Sequence, residues 1–153
     1  MRAFTRAEHM KIIGSSFLSP SVIDCLAPMG SSLTRLELFG LRTTSHAIVS
    51  LLAKLPHLKR LTSWCLEATG DISGFNPVSR IPFFEGDNAT LSYYSSVDQR
   101  GPPDWIPPSA RLGSLEISTT YSVHTAVLVN QWFSSSCTTL TSLSISMNVG
   151  GEY

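Results

Sequence analysis

Leu33-Thr34-Arg35-Leu36-Glu37-Leu38 returns twice along the chain, as Leu112-Gly113-Ser114-Leu115-Glu116-Ile117 and as Leu140-Thr141-Ser142-Leu143-Ser144-Ile145. A fourth copy, Leu58-Lys59-Arg60-Leu61-Thr62-Ser63, keeps the first two apolar positions and loses the third. The fourth and sixth residues of this template stand at i and i+2, on one face of a strand, and the first caps the turn that leads into it. From first leucine to first leucine the offsets are 25 (Leu33 to Leu58) and 28 (Leu112 to Leu140). The interval between Leu58 and Leu112 is 54, close to two further periods.

A period of this length with this template is that of a leucine-rich repeat. The expected fold is therefore α/β: a solenoid fragment with parallel strands on one face and helices on the other. Strands are expected near 35–39, 60–64, 114–118 and 142–146, with Leu36, Leu38, Leu61, Leu115, Ile117, Leu143 and Ile145 turned inward. Helical patterns lie between them. Ser19-Pro20-Ser21-Val22-Ile23-Asp24 is a helix start, and Val22, Cys25, Leu26 and Met29 then follow at i, i+3, i+4 and i+7, with Pro28 as the stop. Ile48, Leu51, Leu52 and Leu55 repeat that spacing from about Ser45 until Pro56. A third helix is expected from Ser122 to about Ser134. Met10-Lys11-Ile12-Ile13 fits one further strand.

The chain, 1–153, reads as a single region of this kind. Residues 66–111 break its rhythm with glycines and prolines, among them Pro102-Pro103 and Pro107-Pro108. A structureless loop of that length is unusual in a compact domain. An irregular stretch or degenerate repeat is expected there, with Leu91-Ser92-Tyr93-Tyr94 as its strand.

Apolar residues make up 42% of the chain, too many for a disordered sequence, and charged residues only 14%, which leaves a neutral, Ser/Thr-rich surface. Lys+Arg and Asp+Glu are both 11, with no block of either sign, so the basic stripe of a nucleic-acid binder is missing. No stretch reaches the length of a membrane span. Cys25, Cys65 and Cys137 are odd in number and widely spaced; they read as structural thiols, Cys25 as a small buried hydrophobe, in an intracellular compartment, cytoplasmic or nuclear. No catalytic constellation, metal-ligand spacing or phosphate loop is present, so neither an enzyme nor a cofactor is expected. His57 and His124 read as solvated surface.

The outward positions of the template line the concave side of a solenoid, the side that binds partners. They give Arg35, Glu37 and Phe39, then Arg60, Thr62 and Trp64, then Glu116 between two serines as candidate partner-binding residues. Phe39 and Trp64 fall at one position of successive repeats, flanked by Arg35 and Arg60. They serve either as contact residues, with the composition of an interface hot spot, or as lids folded over the strand ends.

Three phrases carry a resemblance: Leu51-Leu52-Ala53-Lys54-Leu55-Pro56-His57-Leu58-Lys59-Arg60-Leu61, Pro107-Pro108-Ser109-Ala110-Arg111-Leu112-Gly113-Ser114-Leu115-Glu116-Ile117, and Trp132 with a serine run before Leu140-Thr141-Ser142-Leu143. Over roughly residues 30–147 the chain resembles the leucine-rich-repeat region of the F-box proteins expanded in mushroom-forming fungi. No F-box is recognisable upstream. The resemblance implies a protein–protein recognition module, the substrate-recruiting repeat region of an F-box-type ubiquitin-ligase adaptor, here as a fragment. Uncapped flanks, the C-terminal one showing Leu143 and Ile145, are expected to drive self-association. The alternative is a small enzyme or ligand-binding α/β domain with residues 66–111 as a lid.

Overall fold

The computed structural model describes residues 6–14, 19–69, 81–86, 88–95, 105–106, 110–120, 130, 134, 136 and 138–148. Six parallel strands form one sheet: β1 (His9–Ile13), β2 (Arg35–Phe39), β4 (Arg60–Trp64), β6 (Thr90–Ser95), β7 (Ser114–Thr120) and β8 (Ser142–Asn148), side by side in that order. Two short strands, β3 (Arg42–Thr44) and β5 (Glu67–Thr69), form a second parallel pair. Parallel neighbours cannot be joined by a hairpin, so the chain must cross over between strands. Helices α1 (Pro20–Leu26) and α2 (Ser45–Ala53) lie in the first two crossovers, and the single turn α3 (Pro82–Glu85) precedes β6.

The register turns the repeated leucines into rows. Met10, Leu36, Leu61, Leu91, Leu115 and Leu143 are partners across successive strands, and so are Ile12, Leu38, Ser63, Tyr93, Ile117 and Ile145. Thr90–Ser95 therefore supplies the strand expected from Leu91-Ser92-Tyr93-Tyr94, and it stands between β4 and β7. The approach to each strand is fixed in a repeated way. The amides of Thr34 and Arg35 both donate to the Glu8 carbonyl, those of Lys59 and Arg60 to Thr34, those of Gly113 and Ser114 to Ala89, and those of Thr141 and Ser142 to Gly113. The departures repeat too. Gly14, Gly40 and Cys65 donate to the carbonyls of Phe39, Trp64 and Tyr94, and Gly40 and Cys65 share a left-handed φ of 62° and 49°. For a non-glycine residue such as Cys65 that conformation is strained.

Inward side chains of the sheet join Ile23, Leu33, Ile48, Leu51, Leu52, Leu55, Phe83, Phe84, Trp105 and Ile106 in one buried cluster. Thr44 caps α2 by accepting the Ala47 amide at 3.1 Å, and the helix stops before Pro56. Ser19 stands at the α1 cap position without a side-chain capping bond. The apolar stripe of α1 differs from the expected one. Ile23 is buried and Leu26 partly so, whereas Val22 and Cys25 are exposed. Leu26 stands at i+3 from Ile23 and at i+4 from Val22, so both stripes fit so short a helix, and packing against α2 selects the one through Ile23. Cys25 is thus a surface thiol rather than a buried hydrophobe. The serine run also holds an exception to a wet surface. Ser136 is buried, its hydroxyl donating to the Ala110 carbonyl at 2.9 Å and accepting the Leu112 amide at 3.2 Å. Of the helix expected over 122–134, residues 130 and 134 are described and both are helical, while the rest of it and the thiol of Cys137 lie outside the described residues.

Two irregularities mark the inward rows. At β8 the row loses its cover, and Leu143 and Ile145 are 41% and 38% exposed. At β4 the third template position is Ser63, fully buried between Leu38 and Tyr93, and its hydroxyl has no hydrogen-bond partner among the described residues. A buried hydroxyl without a partner costs about 1–3 kcal/mol in desolvation. Ser63→Ala is therefore expected to raise the unfolding free energy by about 1 kcal/mol, read as a higher midpoint in urea with an unchanged slope.

Candidate functional site

Alternation along each strand sends every second side chain to the solvent face, and the register assembles these into three rows. At the N-terminal ends of the strands the row is His9, Arg35, Arg60, Thr90, Ser114. In the middle it is Lys11, Glu37, Thr62, Ser92, Glu116. At the C-terminal ends it is Ile13, Phe39, Trp64, Tyr94, Ser118. Neighbouring strands are about 4.8 Å apart, and four residues along a strand cover about 13 Å. A basic row over β1, β2 and β4 thus runs beside an aromatic row over β2, β4 and β6, with Glu37, Thr62 and Ser92 between them on β2, β4 and β6.

The aromatic row is continuous. Phe39 and Trp64 stack with ring centroids 6.2 Å apart at 17°, and Trp64 and Tyr94 meet at 4.7 Å and 36°. The Lys11 ammonium lies 4.5 Å from the Phe39 ring centroid, extending the row with a cation–π contact. Trp64 remains 46% exposed. The Tyr94 phenol ionises above its ordinary value, first because of burial, then through its hydrogen bond to Glu116 and that carboxylate's charge, with a smaller opposing effect of Ser92. Glu116 also accepts a long hydrogen bond from Ser92 at 3.4 Å.

Of the sequence-derived candidates, Arg35 and Arg60 meet in one row, Phe39 and Trp64 in another, and Thr62 lies between them on β4. Glu116 stands two strands away from Thr62, beyond Ser92. Glu37 departs from expectation. It is on the outward side but only 7% exposed, because His9, at 3.1 Å, and the Arg35 guanidinium close over its carboxylate. Its role is to hold Arg35 in place, not to present a free acceptor. Tyr94, His9, Lys11 and Lys59 belong to this surface and were not among the candidates. Tyr94 was within reach, since counting outward positions from Leu91 as the fourth template residue leads to it.

The cationic row opens into a shallow depression of about 300 Å³ bordered by Glu8, His9, Thr34, Arg35, Lys59 and Arg60. Arg35 is engaged by Glu37, whereas neither Lys59 nor Arg60 forms an ion pair among the described residues. A second depression, about 240 Å³, is bordered by His57, Leu58 and Lys59 on one side and by Pro82, Phe83 and Asn88 on the other. It is smaller than the usual small-molecule site. Among the described residues no three His, Cys, Asp or Glu side chains converge as a metal site would require, and no helix is long and apolar enough to cross a membrane.

Neither protein-family models, curated proteins nor solved structures give a match to this chain.

Proposed function

We propose that this chain is a protein–protein recognition module, built as a leucine-rich-repeat solenoid, that binds its partner on the solvent face of the six-stranded sheet. The observation that carries the reading is the Phe39–Trp64–Tyr94 stack running beside the Arg35–Arg60 row on exposed sheet. Aromatic and arginine side chains clustered at the centre of a surface are the composition of interface hot spots. The in-register recurrence of Leu36, Leu61, Leu91, Leu115 and Leu143 supports the repeat architecture, because stacked units of one template expose a regular face. The phrases shared with fungal F-box proteins extend the proposal: the partner is a protein to be recruited for ubiquitination, in the cytoplasm or nucleus, with the F-box function supplied outside residues 1–153.

Selection of peptides from a displayed random library on the purified chain tests the recognition reading. Enriched peptides are expected to lose at least tenfold in affinity to Trp64→Ala, a truncation at a half-exposed site that leaves the core intact. Enrichment of nothing, or of peptides that bind Trp64→Ala and Phe39→Ala as well as the parent, would remove it.

A further inference from the structure

We infer that the preferred partner segment is an acidic peptide that places a carboxylate on the Lys59–Arg60 depression and an aromatic or large apolar side chain about four residues away on the Phe39–Trp64–Tyr94 row. This rests on the recognition reading and adds the chemistry and spacing of what is recognised. Three observations lead to it. The first is charge that the fold leaves uncompensated. His9 and Arg35 close on Glu37, and Lys54 and Arg42 pair with Asp24 and Glu67, while Lys59 and Arg60 have no ion pair among the described residues and border an open depression. Among the described residues Glu8 is the one acidic side chain on that border.

The second observation is distance. Arg60 and Trp64 begin and end the same strand, and the span of about 13 Å between them matches four residues of extended peptide. The third is the floor between these two points. Along β4 and β6 it consists of Thr62 and Ser92, hydroxyls that a peptide backbone can bond. Glu37 and Glu116 flank that floor on β2 and β7. Glu37 is closed under His9 and Arg35, so the carboxylate that an acid displaced to the middle would approach is that of Glu116, and its repulsion favours the register that the cations set by attraction.

A fluorescein-labelled peptide Gly-Asp-Asp-Ser-Gly-Ser-Trp-Gly, titrated with the full chain and read by anisotropy, provides the test. Binding is expected to weaken about tenfold when both aspartates become asparagine, when the tryptophan becomes serine, or when the three-residue spacer is removed. Arg60→Gln should produce a similar loss, whereas Arg42→Gln, which removes the same charge on the separate β3–β5 pair, should leave affinity within twofold. Rising salt should weaken the complex. No binding of the aspartate peptide, equal affinity for the asparagine peptide, equal losses in the two arginine variants, or stronger competition by a single-stranded oligonucleotide would each overturn the inference. If displayed peptides lacking acid still bind in a Trp64-dependent way, the recognition reading survives and only the acidic preference falls. If neither set binds, both fall.

Discussion

Replacing Leu91 with alanine lowers the unfolding free energy by about 2–5 kcal/mol, and replacing Leu143 in the same row costs less than about 1 kcal/mol. The two leucines occupy one template position and differ only in surroundings. Leu91 is fully buried, with Leu61 and Leu115 as partners on either side. Truncating it removes the transfer energy of the lost carbons and leaves a cavity that two filled strands cannot close. Leu143 has Leu115 on one side and is 41% exposed, so water fills the space that truncation opens. Urea unfolding of the two variants, followed by far-UV circular dichroism, measures the difference. Equal losses would mean that β8 is covered in solution.

Gly30→Ala is expected to destabilise the chain by about 3 kcal/mol, an unusual cost for adding one methyl group. Gly30 follows the 3-10 turn Ala27–Met29 with φ −60° and ψ −27°, angles open to any residue. The constraint is space. A Cβ on Gly30 would stand 2.2 Å from the carbonyl oxygen of Lys54, which belongs to the backbone at the C-terminal cap of α2. Backbone cannot rotate away as a side chain would, so the first crossover must separate from the second. The exposed Asp24–Lys54 ion pair, 2.7 Å long, joins the same two segments and contributes little against that separation. A thermal midpoint for Gly30→Ala within a degree or two of the parent would show that the two crossovers are free to move apart.

The strands were legible because their signal is redundant. Leu33, Leu36 and Leu38 recur in Leu112, Leu115 and Ile117, and pairing between repeats then fixed β2, β4, β7 and β8 to the residues that the template marks. Even the poorly matching Leu91-Ser92-Tyr93-Tyr94 took its place, since a parallel sheet with four ordinary members dictates what lies between β4 and β7. Burial on the solvent face was not legible. Whether Glu37 is open or covered depends on His9, 28 residues earlier, and on the rotamer of Arg35, and alternation along one strand carries neither. The close approach at Gly30 left no mark either, because a glycine after Pro28-Met29 reads as an ordinary turn. The α1 stripe failed for a third reason: seven residues are too few for periodicity to choose between Ile23 and Val22.

The strands lie across the sheet in the order in which they occur in the chain. Each one finds its neighbour in the strand just before it, so each pairing closes a loop of nearly the same modest length, and the entropic cost of closure does not grow as strands are added. No strand has to wait for a distant partner. On a ribosome, which releases the chain from its N-terminus, β2 can settle on β1 before β4 has been made, and every later strand meets a finished edge. Time of synthesis and position in space then run together, and within the six-stranded sheet a growing chain never holds more than one unmatched strand.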